Sequence, residues 1–159
     1  MEPQAVYWSG NGIPANSLDV KVKYFNKDLI PLEMFDQGDW VDLRSAETLT
    51  IGKGEFKLIP LGVAIELPPG YEALVVPRSS TYRRSGIIQA NSVGVIDNSY
   101  CGNEDQWYFP AIAMRKTTIR RNDRICQFRV IENQISLNFN TVDELTGNNR
   151  GGFGSTGVQ

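Results

Sequence analysis

An all-β domain, sandwich-like or barrel-like, is the fold class this sequence predicts, and three observations predict it. Apolar residues recur with a period of two, turn formers separate the apolar runs, and helical signals are confined to one short stretch. The first strand signal is Val20, Val22 and Tyr24 alternating with Lys21 and Lys23. Further β-rich runs span Phe56–Leu67, Tyr71–Val76, Gly86–Ile96, Trp107–Met114, Ile125–Ile131 and Ile135–Phe139. Between them, Pro68-Pro69-Gly70, Asn98-Ser99, Asn103-Glu104-Asp105 and Arg121-Asn122-Asp123 are the residue types that reverse a chain tightly. Ser79–Ser85 is the one expected helix, with Ser79 or Ser80 able to cap its first turn.

Composition narrows the chemistry. The 159 residues include no His and two Cys, which excludes a histidine triad, a histidine general base and a Cys/His zinc cluster. Catalysis must then rest on carboxylates, hydroxyls, arginines, backbone groups or a borrowed ion. The length fits one domain, which buries roughly 70% of the surface its unfolded form exposes and needs no staples. Cys101 and Cys126 read most simply as reduced thiols, although a bridge between them stays open. The opening MEPQAVYWSG has neither a basic start nor an apolar run, and no apolar stretch approaches the roughly 18 residues that span a bilayer. A soluble, cytoplasmic chain without a membrane partner is the expectation.

Charge is unevenly placed. From Arg78 to Arg129 nine basic residues face four acidic ones, so this stretch carries +5 within a chain of net −2. A basic middle in a mildly acidic protein suits a local anionic ligand better than a nucleic-acid surface; solvated charges on exposed strand faces are the plainer alternative. Residues 1–17 are turn-rich and aperiodic, as in an arm, and 18–145 are the expected β domain. The segment 146–159 holds five glycines around Arg150, Phe153, Ser155 and Thr156. Such a segment is either disordered or a loop that folds over a phosphorylated ring compound, where Gly admits close backbone approach, Arg supplies paired donors and Phe a stacking face.

Five separated segments resemble, in order, the five motifs of the trimeric deoxyuridine triphosphatase (dUTPase) family. They are DLRSA (42–46), PRSS (77–80), GVIDNSYCG (94–102), DRICQ (123–127) and RGGFGSTG (150–157), spread over about 115 residues. The resemblance implies a compact β-clip or distorted jelly-roll barrel with one short helix and a glycine-rich carboxy-terminal arm. It further implies a homotrimer whose active sites draw on more than one chain. The implied reaction is Mg²⁺-assisted hydrolysis of dUTP to dUMP and pyrophosphate, which limits uracil incorporation into DNA and supplies dUMP for dTMP synthesis.

The roles below are what that resemblance implies. Asp97 orients and deprotonates the attacking water; a turn-capping aspartate is its plainer alternative. Asp42 reaches Mg²⁺ through a bound water. Ser79 donates to the oxygen bridging the α and β phosphates, supported by Arg78 and the Ser80 backbone, and Gln127 contacts a phosphate oxygen. Arg150 pairs with the γ-phosphate, helped by Ser155, Thr156 and the Gly157 amide; Gly154 belongs with the substrate-binding residues, and Phe153 stacks on the base. Asn91, six residues before Asp97, meets the uracil edge beside the backbone of Gly94, Val95 and Ile96, and Tyr100 lies against the sugar. Three departures stand out: Trp40-Val41 before DLRSA, Asn122 in place of a turn glycine, and a short Arg150-to-Phe153 spacing. A dCTP deaminase shares the fold but needs a glutamate where this chain has Trp107; a dUTP-sensing binding protein is the third alternative.

Overall fold

The computed structural model describes residues 17–34, 38–149 and 151–152. Its elements, in chain order, are β1 (Lys21–Tyr24), β2 (Val41–Arg44), β3 (Leu49–Ile51), β4 (Phe56–Pro60), β5 (Val63–Glu66), β6 (Tyr71–Pro77), α1 (Thr81–Ser85), β7 (Ile87–Gln89), β8 (Gly94–Ile96), β9 (Tyr108–Ala113), β10 (Thr117–Ile119) and β11 (Arg124–Glu132). All pairings are antiparallel. A four-stranded sheet runs β2-β11-β6-β8, a three-stranded sheet runs β4-β9-β7, and β1-β5 and β3-β10 form two short ribbons. The expected all-β class with one short helix is what the chain forms.

Inward residues of these sheets meet in one core. Leu43, Ile51, Ile59, Ile65, Ile87, Trp107, Phe109, Ile119 and Ile125 are buried there, and the Trp107 ring meets Phe128 edge to face at 5.3 Å. Cys126 is also buried while Cys101 is exposed, and both are free thiols. Consecutive burial of Ile125 and Cys126 breaks the alternation a regular strand imposes. The reason is a register shift between Arg124 and Cys126 in the pairing of β11 with β2. Such a bulge re-aims one side chain, here Arg124, while Ile125 and Cys126 both stay in the core.

Two expected runs divide at identifiable residues. Phe56–Leu67 becomes β4 and β5, separated at Gly62, whose φ is +69°. A Cβ there would collide with the Leu29 side chain and stand 2.9 Å from Ala46 Cβ, so only glycine fits. Gly86–Ile96 becomes β7 and β8 around Ser92, which takes φ +62°. The ribbon β3-β10 and strand β2 had no separate periodic signal, being three or four residues each.

One expected strand does not form. From Asn133 onward the described chain contains no strand, and Ile135, Leu137 and Phe139 are 80%, 53% and 87% exposed. Their alternation is that of an extended segment, but a strand exists only against a partner, and the described residues of this chain supply none. The expected amino-terminal arm, apart from Ser17, lies outside the described residues.

The turn at Asn122 explains its departure from glycine. Its φ is +70°, a region asparagine tolerates better than most residues. Its side chain accepts from Ile30 N at 3.0 Å and donates to Asp28 O at 3.1 Å, and its carbonyl accepts from the Arg44 guanidinium at 2.8 Å. Asparagine thereby anchors a loop that glycine would leave loose.

Gly62→Ala should destabilise the fold by about 2 kcal/mol, because a left-handed backbone and a steric clash coincide there. Denaturant unfolding checks it: the midpoint falls and the slope stays unchanged.

Candidate active site

At one end of the four-stranded sheet the strand order brings three motifs together. Register places Asp42 of β2 opposite Gln127 of β11, and Gln127 opposite Val76 of β6. Arg78 follows β6 directly, and its Nε meets Asp42 Oδ1 at 2.6 Å. Arg124, turned by the bulge, reaches Asp42 Oδ2 at 3.0 Å. The Asp42 side chain is 13% exposed, so screening by water is limited; the Arg124 contact is a charge-assisted hydrogen bond and the Arg78 contact an ion pair. Asp42 thus fixes two guanidinium groups, whose remaining N–H donors can meet an anion. Gln127 lies beside them, its Nε2 directed at Pro77 O at 3.4 Å.

The serines of PRSS are left unengaged by a neighbour. Ser80 occupies the N-cap of α1, yet neither serine side chain makes a capping bond, contrary to the sequence expectation. Thr81 does the structural work instead. Its Oγ1 accepts from Arg78 N at 2.9 Å and donates to Ile125 O at 2.8 Å, bolting the turn to β11. With that job taken, the exposed Ser79 hydroxyl stands available. Beside this cluster a concavity of about 380 Å³ is lined by Arg44, Arg78, Arg84 and Arg124, with Asp123 as the only acid among the described lining residues.

The hairpin motif lies at the other edge of the sheet. Gly94, Val95 and Ile96 form β8 and pair with Val75, Leu74 and Ala73 of β6. Just beyond, Asp97 is exposed and its Oδ1 accepts from Ser99 N at 2.8 Å. The Ser99 hydroxyl and amide hold the Asp97 carboxyl below its ordinary range, so it is anionic at neutral pH with its second oxygen free. The turn-capping reading accounts for Oδ1 and leaves Oδ2 without a hydrogen bond among the described residues. Asp97, Val95, Ile96, Tyr100 and Trp107 line a pocket of about 360 Å³. Tyr100 donates its hydroxyl to Gln106 O at 3.1 Å, which holds its ring across the mouth. Trp107, where a deaminase would need an acid, is fully buried.

The two clusters do not meet within one chain. β2 and β8 are opposite edges of the sheet, about 14 Å apart across three strand spacings, and Asp97 lies roughly four residues, or about 13 Å, further along the strands than Asp42. Arg150, Phe153, Gly154, Ser155 and Thr156 lie outside the described residues. Sequence reasoning gave no part to Arg124, although it stands inside DRICQ, nor to Thr81 or Gln106. A signal existed for Arg124 in the motif itself; Thr81 and Gln106 act through backbone groups that only the fold brings near.

No three His, Cys, Asp or Glu side chains converge on a metal position among the described residues. Each Asp42 oxygen keeps a lone pair beyond its arginine contact. That donor set fits an ion ligated chiefly by phosphate and water, as hydrated magnesium is.

Comparison with known proteins identifies the family. The dUTPase family profile matches residues 41–157, and the chain belongs to that family. It is 54% identical over 142 residues to the SPbeta prophage-derived deoxyuridine 5′-triphosphate nucleotidohydrolase of Bacillus subtilis, covering 89% of this chain and 100% of that protein. The deoxyuridine 5′-triphosphate nucleotidohydrolase of Escherichia phage T5 is 35% identical, with 87% and 98% covered. Among solved structures, the Staphylococcus bacteriophage 80alpha dUTPase with dUPNHPP superposes with a TM-score of 0.74 over 89% of this chain and all of that one, at 20% identity. A mutant dUTPase from phage phi11 of S. aureus, whose structure concerns the coordination of a structural Mg(II) ion, gives 0.69 at 17% identity, with 80% and 98% covered.

Ser99→Ala should raise the Asp97 titration toward the usual carboxylate value of about 3.9, since it removes a hydrogen bond to the charged form. Carboxyl-resolved NMR titration reads this directly, and an unmoved midpoint would show that the hydroxyl does not hold Asp97 down.

Proposed function

We propose that the protein is a dUTP pyrophosphatase, converting dUTP and water to dUMP and pyrophosphate. The observation that carries this is the division of the sheet into a fixed cationic end with free hydroxyls and an edge hairpin bearing one ionised carboxylate above a pocket. Pyrophosphate release needs both: donors where charge accumulates, and a base where water enters. Its biological effect is to keep uracil out of DNA and to furnish dUMP for dTMP synthesis.

In this mechanism the free oxygen of Asp97 takes a proton from water as the water oxygen bonds to the α-phosphorus. The bond from that phosphorus to the α,β-bridging oxygen breaks, and Ser79 donates to the bridging oxygen as pyrophosphate departs. Arg78 and Gln127 hold the phosphates in line, so the attacking and leaving oxygens lie opposite each other. A positioned base contributes about 10² to 10⁴ in rate, and the anchored guanidinium groups are asked for a comparable share. Asp42 serves as anchor for both arginines and as the outer contact of a divalent metal, assigned as Mg²⁺, held by the substrate's own phosphates. When bound, that ion would offset phosphate charge, with Asp42 as the residue that would reach it. Asn91 and the β8 backbone read the uracil edge, and the Tyr100 ring closes the space a ribose hydroxyl would occupy. Arg150, with Ser155, Thr156 and the Gly157 amide, binds the γ-phosphate while Phe153 covers the base.

The active enzyme is a homotrimer with sites shared between chains. One α-phosphorus cannot stand beside both Asp97 and Ser79 of the same protomer across the distances given above. The exposed Ile135, Leu137 and Phe139 also supply an apolar segment suited to a neighbouring copy. The chain acts in the cytoplasm of its cell, or of a host if it is viral.

Asp97→Asn should retain dUTP binding and lose about 10² to 10⁴ in kcat, with pyrophosphate release as the measure and dUTP with Mg²⁺ as the substrate consumed. Mixing chains that carry Asp97→Asn with chains that carry Arg78→Ala should restore part of the activity, because some mixed sites then hold both wild-type groups. Absence of any recovery, in mixtures shown to exchange subunits, would refute site sharing between chains.

A further inference from the structure

One polar side chain in the core is used by neither the fold nor the mechanism so far. Gln89 ends β7, is 8% exposed, and follows Ile87 and Ile88 in an otherwise apolar strand. Its Nε2 donates to Val75 O at 3.1 Å and to Asn91 Oδ1 at 3.0 Å. Its Oε1 is buried and has no partner among the described residues. Gly94 presses on the same amide, since a Cβ there would stand 3.4 Å from Gln89 Nε2. Gln89 therefore sits where β6, β7 and β8 converge, directly beneath the hairpin.

The orientation of these amides follows from a backbone carbonyl. Val75 O can only accept, so the Gln89 atom facing it must be the NH₂ group. Its second hydrogen then points at Asn91, which must answer with oxygen. Asn91 Nδ2 is thereby turned away; Asn91 is exposed, and Nδ2 has no hydrogen-bond partner among the described residues. Leucine would fill the Gln89 site without orphaning a buried oxygen, so the glutamine is retained against the interest of packing.

We propose that Gln89 is a positioning residue for base selection: it locks the Asn91 amide so that a hydrogen-bond donor, and never an acceptor, faces the 4-position of the pyrimidine. This rests on the dUTP reading of the site and on Asn91 meeting the base edge. Uracil offers a carbonyl oxygen at that position and is accepted. Cytosine offers an amine, and donor would face donor. A freely rotating Asn91 would turn its oxygen to the amine and accommodate both bases, so discrimination resides in the lock rather than in Asn91 alone. An unpaired polar group in a closed site is the stronger means of rejecting a near-isosteric substrate.

The experiment compares the unsubstituted protein, Gln89→Leu and Gln89→Glu by KM and kcat for dUTP, by the inhibition constant of dCTP against dUTP hydrolysis, and by thermal unfolding. Failure of the unsubstituted protein to hydrolyse dUTP would refute the functional reading itself, independently of the lock. Gln89→Leu should unfold at the same or a higher temperature, raise KM for dUTP, and cut the preference for dUTP over dCTP roughly 10-fold or more. Gln89→Glu, which as the neutral acid donates to Val75 O and accepts from Asn91, should turn the asparagine oxygen outward and shift preference further toward dCTP. Should Gln89→Leu fail to fold, the Gln89→Glu result decides. An unchanged dUTP-to-dCTP preference in a folded variant overturns the proposal, as does a fall in kcat at constant KM accompanied by lost stability, which is the mark of a structural brace.

Discussion

Seven consecutive residue pairs between β6 and β11, from Cys126 opposite Pro77 to Glu132 opposite Tyr71, are the constraint on which the rest depends. Because register has a period of two, this pairing decides which side chains face the core and where each strand's ends emerge. Its one end delivers Arg78, Gln127 and, through β2, Asp42. The opposite half of β6 serves as the template for β8. A one-residue slip would bury Gln127 and expose Phe128, so core and site are specified by the same ladder.

The cationic end is organised by a carboxylate rather than by the substrate. Two guanidinium groups confined at one strand end would repel and wander if left unpaired; with both tied to Asp42 their geometry is set before an anion arrives. Thr81 plays the equivalent part for the backbone, satisfying Arg78 N and Ile125 O with one hydroxyl. The outcome is a rigid platform whose serine hydroxyls remain uncommitted.

Much of this was legible in the sequence. The long strands announced themselves as runs rich in β-branched and aromatic residues bounded by turn formers, and the turns at Gly70, Asn98-Ser99 and Arg121-Asn122 followed from residue chemistry. The short β3 and β10 were not legible, since three residues cannot display a period; they are held by each other and by a Thr50–Thr118 hydroxyl contact at 2.9 Å. Ile135–Phe139 showed the reverse failing: the β-rich run is there, but the described chain offers it no partner strand. The motifs supplied candidate site residues, yet not that Asp42 and Asp97 stand at opposite edges of one sheet. Nor could spacing reveal that Thr81 would relieve the serines of capping, because that depends on a carbonyl 44 positions away.

The contrast between the two sulfur atoms has a practical side. Burial pushes the Cys126 thiol well above its ordinary range, which keeps it in the unreactive protonated form. Cys101 is exposed one residue after Tyr100, on the rim of the hairpin. Nature has thus left a single addressable handle for a maleimide dye, next to the aromatic ring that borders the pocket proposed for the nucleotide, and a fluorophore attached there would report its occupancy in real time without any engineered residue.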